Sequence, residues 1–203
     1  MKILIAIPTF ENIYPATFKS IWDLDRGNHE VLFEYVKGYD CAAARNKIAE
    51  KAIELNVDYV LMVDSDMVLP KDALLCLLQG QHEVTLGYCL RRYSKTRKGS
   101  TCIYKAGKSF HGNHYSEEEL QELARDGMVK LQVQGGGFAC ALVKTEVFKK
   151  LKYPWFDWVI YENKGALSED LYFCYECGKA NIPIYTDLRV KCGHIMRITD
   201  YPI

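Results

Sequence analysis

The chain has 203 residues, 26 lysines and arginines against 26 aspartates and glutamates, and a composition that is 49% hydrophobic and 12% aromatic. Such a chain buries one substantial core and seldom divides, so one domain over 1–203 is expected. The even charge balance excludes the basic surface that would favour nucleic acid and the acidic excess of a solvating tail.

The opening run MKILIAIPTF is short, ends at Pro8 and carries no small-residue cleavage pattern, so it does not read as a signal segment. No other stretch reaches the roughly 20 apolar residues that a membrane span needs. Most of the eight cysteines sit inside apolar runs, where a reduced thiol behaves as a small hydrophobe. The expectation is therefore a cytoplasmic protein without a disulfide framework.

Lys2 to Ile7 is a continuous apolar run suited to a strand covered on both faces. Phe18, Ile21 and Trp22 are spaced as in a helix across Tyr14 to Leu24, and Glu30 to Val36 alternates as a strand. Ala44, Ile48, Ala52 and Leu55 place a helix over Cys41 to Leu55, with Asp40 as its N-cap. A strand follows at Asp58 to Val63, then a helix that starts near Pro70 and continues through Ala73 to Leu78, then a strand from Glu83 to Leu90. This alternation predicts an α/β fold with a mainly parallel, Rossmann-like sheet and helices on both faces. Ligands of such sheets gather beyond the carboxyl ends of the strands.

Arg91 to Tyr115 is polar and basic and reads as a long surface loop or insertion. Ser116, with a glutamate three residues on, opens a short helix through a capping box. Strands are expected at Val129 to Val133 and Phe138 to Val143 around a glycine run, a helix at Ser168 to Lys179, and a last strand at Ile184 to Cys192.

Several groups of residues could carry chemistry. Asp64-Ser65-Asp66 follows the apolar strand VDYVLMV, and two carboxylates at a strand tip are stabilised if a divalent cation lies between them and a ligand. Magnesium and manganese accept a few carboxylates together with phosphate oxygens. The same triplet also serves as a turn capping the next helix. Glu169 and Asp170 open a helix, where acids either complement its dipole or act in proton transfer. Gly135 to Gly137 allow close backbone approach to a ligand or make a tight turn. Trp155, Phe156, Trp158 and Tyr161 form either core or a platform for the apolar faces of a sugar. Arg91, Arg92, Lys95, Arg97 and Lys98 form a solvated charge run or a clasp for a diphosphate. Cys174, Cys177, Cys192 and His194 would make a zinc set, but the first pair falls within a helix and no second CxxC exists.

The segments MKILIAIPTFEN, CAAARNKIAEKAIELNVDYVLMVDSDMVLP, GGGFACALVKTEVFKKL and SEDLYFCYECGKANIPIYTD followed by CGHI, in that order, resemble the successive signatures of the GT-A glycosyltransferases, closest to family two. The resemblance covers most of the chain apart from about 91–130. It implies a nucleotide-binding half at about 1–90 and an acceptor and catalytic half at about 130–203. Pro8, Thr9 and Glu11 would hold base and ribose. In the Ala44-Arg45-Asn46 stretch, Arg45 would approach the nucleotide or its pyrophosphate. Asp64 would bind ribose or a metal-bound water, Asp66 would coordinate Mn2+ or Mg2+, and His194 would supply a further ligand. Ser65, Gly136 and Gly137 would line the nucleotide-sugar site. The chain departs from the family in having VKGYDCAAAR where an acidic DDGS-like turn is common, and Asp40 is the residue placed to replace that contact with the base. Asp170 would be the general base of an inverting transfer and Glu169 a second acceptor contact. The implied donor is a UDP- or GDP-sugar and the acceptor a carbohydrate or other hydroxyl.

Two rivals stand beside this reading. A sugar-nucleotide-forming nucleotidyltransferase would share the sheet and the aspartates, but PTFEN lacks the glycine-rich basic loop such enzymes carry after their first strand. A non-catalytic sugar-nucleotide-binding module would keep the core and lose metal or base, whereas Asp66, Asp170 and His194 are all present.

Overall fold

A computed structural model describes residues 1–38, 40–91, 99–107, 110, 112–161 and 165–195. The elements run β1 (Lys2–Thr9), α1 (Pro15–Trp22), β2 (Glu30–Lys37), α2 (Cys41–Glu54), β3 (Tyr59–Val63), β4 (Met67–Val68), α3 (Ala73–Leu78), β5 (Val84–Tyr88), β6 (Ser100–Tyr104) and β7 (His114–Ser116). They continue with α4 (Glu117–Arg125), β8 (Lys130–Val133), β9 (Gly135–Gly136), β10 (Cys140–Lys144), α5 (Thr145–Lys150), β11 (Val159–Tyr161), β12 (Gly165–Leu167), α6 (Glu169–Lys179), β13 (Ile184–Lys191) and β14 (Gly193–His194).

Seven strands form the central sheet in the order β2-β1-β3-β10-β5-β13-β8. β1 pairs parallel with β2 and β3, and β5 with β13, while β10 and the edge strand β8 run antiparallel to their neighbours. The expected mainly parallel sheet is thus observed. Period-two alternation in β1 sends Ile3, Ile5 and Ile7 to one face, where they pack with Ile21 of α1 and Leu74 and Leu77 of α3. Leu4 and Ala6 face the other side, against Ile48, Ala49 and Ala52 of α2, Phe148 of α5 and Phe173 of α6. Apolar contact on both faces explains why β1 and β3 read as unbroken hydrophobic runs.

α3 begins at Ala73 and not near Pro70, because the Ala73 N–H closes a turn on the Pro70 carbonyl (3.1 Å) before the helix starts, whereas α2 and α4 begin at the caps the sequence supplies. Asp40 accepts a hydrogen bond from the Ala42 N–H, and Ser116 and Glu119 form the reciprocal capping box of α4.

The 91–115 stretch is not a plain loop. β6 and β7 lie within it and join β9 in a three-stranded sheet of order β7-β6-β9. Ile103 is fully buried and pairs with Gly136, and Tyr104 pairs with Gly135. The polar neighbours of Thr101 to Tyr104 hide the strand from any local pattern, because its partner lies some thirty residues downstream. Other short elements were likewise unforeseen, among them the helix α5, the β11–β12 hairpin and the strands β4 and β14.

Candidate functional site

The site forms at the carboxyl end of β3. The acidic turn begins with the Asp64 N–H bonded to the Ala139 carbonyl (3.1 Å) and closes with the Met67 N–H bonded to the Asp64 carbonyl (3.1 Å). The Ser65 carbonyl accepts from the Tyr14 N–H and from Thr17 Oγ1, both at 3.0 Å, which joins this turn to the segment leading from β1 into α1. Within that segment Pro8 and Thr9 are buried, the Thr9 hydroxyl donates to the Asn12 carbonyl (2.9 Å), and Glu11 is exposed. Asp40 stands exposed at the start of α2, its carboxylate occupied by the cap.

The far end of the chain returns to the same place. β14 pairs antiparallel with β4, setting His194 beside Met67, and the Ile195 N–H donates to the Asp66 carbonyl (2.9 Å). This brings His194 Nε2 to 3.6 Å from Asp66 Oδ2. His194 Nδ1 lies 2.9 Å from the Leu90 carbonyl, which can only accept, so Nδ1 carries a proton and Nε2 is the ring nitrogen on the Asp66 side. Metal-ligating histidines commonly donate their other ring N–H to a backbone carbonyl in this way. Among the described residues no three His, Cys, Asp or Glu side chains converge as a metal cage.

Arg45, only 2% exposed, projects from α2 beneath this turn. One terminal nitrogen donates to Asp64 Oδ1 at 2.7 Å and the other to Glu169 Oε1, and the guanidinium lies 5.7 Å from the centre of the Phe138 ring. Burial opposes its charge, but Asp64 foremost, with Cys41, Glu169 and Asp170, outweighs burial and holds Arg45 above its usual value. Burial in turn raises the Asp64 carboxyl above the ordinary range, with Asp170 and Glu169 adding to it, against the pull of Arg45; its side chain keeps 35% of its surface open at the cleft. Glu169 is 6% exposed, and burial pushes the nearby Cys41 thiol up to about 12.

Asp170 differs from its neighbour. Its Oδ1 accepts from the Ser168 hydroxyl and from the Leu171 N–H (2.8 Å). Oδ2 borders Gly137, where an added Cβ would stand 3.4 Å from it and 3.2 Å from Cys102 Cβ. Gly136 is boxed in by the protein itself: a Cβ there would meet Ile103 Cδ1 at 2.7 Å and the Cys102 carbonyl at 3.0 Å. A Cβ on Gly135 would meet Cys174 at 2.5 Å. The glycine run is thus required by packing between β6 and α6, with only Gly137 facing a candidate catalytic group.

Other expected features lie elsewhere. Trp155 and Phe156 are core, not a sugar platform: Phe156 stacks on Phe173 (4.9 Å, 9°), and Trp155 packs on Phe148. Their place is set by Asn46, whose side chain accepts from the N–H groups of both residues. Trp158, 56% exposed, remains on the surface. Cys174 and Cys177 pack on one face of the sheet and Cys192 on the other, so they do not form a set with His194. Arg91 NH1 contacts His114 Nε2 at 2.6 Å; Arg92, Lys95, Arg97 and Lys98 fall outside the described residues, as does the side chain of Tyr161. The Leu90 carbonyl and the Cys41 thiol were missed from sequence: a main-chain acceptor leaves no side-chain signature, although Cys41 directly follows the recognised cap.

No family model matches the chain, and no curated protein does. Solved structures do. A crystal structure of A197 from STIV aligns with TM-score 0.66 and 16% identity over 97% of this chain and 87% of that one. GalNAc-T7, crystallised with UDP, GalNAc and Mn2+, aligns with TM-score 0.63 and 10% identity over 98% of this chain and 45% of its own.

The fold is GT-A.

At these identities the likeness is one of architecture alone. An inositol-1-phosphate CTP transferase from T. maritima aligns more loosely, with TM-score 0.46 and 10% identity over 98% of this chain and 72% of its own. No helix among the described residues is long and apolar enough to cross a membrane.

Proposed function

We propose that the protein is a metal-dependent glycosyltransferase of the family-two kind, moving a sugar from a nucleoside-diphosphate sugar to an acceptor hydroxyl with inversion. The observation that carries this reading is the meeting of His194 and Asp66, with Nδ1 of the imidazole committed to Leu90. A carboxylate oxygen and a neutral imidazole nitrogen suit Mn2+, while Mg2+ would rest on the carboxylate; either ion takes a few protein ligands and completes its shell with water and diphosphate oxygens. Asp66 and His194 would hold the ion, and Asp64, already paired with Arg45, would contact its water or the donor ribose. When bound, the cation neutralises charge developing on the departing nucleoside diphosphate.

The chain's own groups supply the remainder. Asp170 Oδ2 takes the acceptor hydroxyl's proton as that oxygen bonds to the anomeric carbon and the bond from this carbon to the diphosphate oxygen breaks. Hydrogen bonds from Ser168 and Leu171 fix Oδ1 and so aim Oδ2. The segment around Pro8, Thr9 and Glu11, tied to Ser65 through Tyr14 and Thr17, and the exposed edge at Asp40 would receive the base, and the Gly136–Gly137 backbone would floor the sugar.

The test is release of nucleoside diphosphate from UDP- and GDP-sugars, with and without Mn2+, with alcohol and sugar acceptors. Mn2+-dependent release that falls about 100-fold or more in Asp170→Asn is expected. Equal rates in the variant and the parent would refute the assignment.

A further inference from the structure

We infer that Arg45 is a positioning residue and not a phosphate ligand: it ties the acidic turn after β3 to the first turn of α6 and engages Glu169, leaving Asp170 alone to meet the acceptor. The inference rests on the glycosyltransferase reading.

The geometry divides the labour. An arginine that binds a diphosphate offers its fork to the cleft, whereas both terminal nitrogens of Arg45 are spent on carboxylates and the side chain is buried. Its position follows from the helix that bears it. Ala42, Ala44 and Ala49 are almost fully buried, so α2 lies close on the sheet and a long side chain at 45 spans to both β3 and α6. Consecutive residues of a helix point about 100° apart. Once Glu169 is drawn inward by Arg45, Asp170 is turned toward Gly137 and the cleft floor. Freeing Arg45 for a ligand would strand two carboxylates, one of them Glu169 in the interior, a large cost for a buried charge pair. The turn that carries Asp66 and the helix that carries Asp170 are thereby held in one register by a single guanidinium.

Arg45→Met keeps the bulk of the side chain and removes the fork, while Arg45→Lys restores the charge without bidentate geometry. Glu169→Gln removes the other end of the pair and serves if Arg45→Met fails to fold. Each is compared with the parent by Mn2+-dependent turnover and by calorimetric binding of the donor with Mn2+. Arg45→Met should lose about 100-fold in kcat, as a reacting group displaced by an ångström does, with donor affinity within about threefold of the parent. Arg45→Lys should recover part of the loss, and Glu169→Gln should lower kcat without raising donor or acceptor KM. A drop in donor affinity of tenfold or more in Arg45→Met with kcat retained would overturn the inference and leave the glycosyltransferase reading standing. A parent that turns over no donor would sink both.

Discussion

Asn46 joins α2 to the segment that leads into the β11–β12 hairpin, and its removal has a cost that follows from the hydrogen bonds it makes. The side chain is 7% exposed; Oδ1 accepts from the Trp155 N–H (3.0 Å) and the Phe156 N–H (3.2 Å), and Nδ2 donates to the Phe156 carbonyl (2.7 Å). Asn46→Ala leaves two buried donors and one acceptor without partners. Each stranded group costs about 1–3 kcal/mol, and a water entering the vacated volume would recover part, so the net loss should be about 3 kcal/mol. For a chain of this length that lowers the melting temperature by about 6–12 °C, measured by circular dichroism or calorimetry. Asn46→Asp is the sharper companion, since it keeps the Oδ1 acceptor for both N–H groups but sets a carboxylate oxygen against the Phe156 carbonyl, and it should destabilise at least as much. Loss below about 1 kcal/mol in both variants would refute the view that these bonds hold the segment.

Two further outcomes are expected. His194→Ala should weaken Mn2+ binding, followed by calorimetry in the presence of UDP, by at least about 10-fold, while Leu90 is untouched. Asp187 is fully buried between Lys130 (2.9 Å) and Arg189 (2.7 Å). Burial pushes its carboxyl up, but hydrogen bonds from Arg189 and Lys130 win and hold it below the usual range. A carboxyl depressed in the folded state contributes stability that is present above its unfolded value near 3.9 and is lost as pH falls through the lower folded value. Asp187→Asn should therefore cost about 3–5 kcal/mol at neutral pH and flatten the acid limb of the stability curve, read from urea midpoints across pH 2–7.

Much of the sheet was legible because its signals are local. The unbroken apolar runs of β1 and β3, the cap at Asp40 and the box at Ser116 each declare themselves within a few residues. β6 did not, since Thr101 to Tyr104 becomes a strand only through pairing with Gly135 and Gly136. In the site, the strand tip at Asp64 to Asp66 and the acids opening α6 were visible from position alone, whereas the aromatic run stayed open between core and platform. Trp155 and Phe156 follow a polar, proline-containing turn and resemble surface residues until Asn46 is seen to draw their backbone inward. Arg45 was noticed, but no spacing in sequence says that its two partners come from β3 and α6.

The two-residue ladder between β4 and β14 has a consequence for biosynthesis. Asp66 is made well before His194, which follows β13, so the two meet only after all seven strands of the central sheet have been made. Closing so long a span carries little more entropy than closing one half its length. A nascent chain therefore lacks the histidine beside Asp66 until every strand of the central sheet has been made.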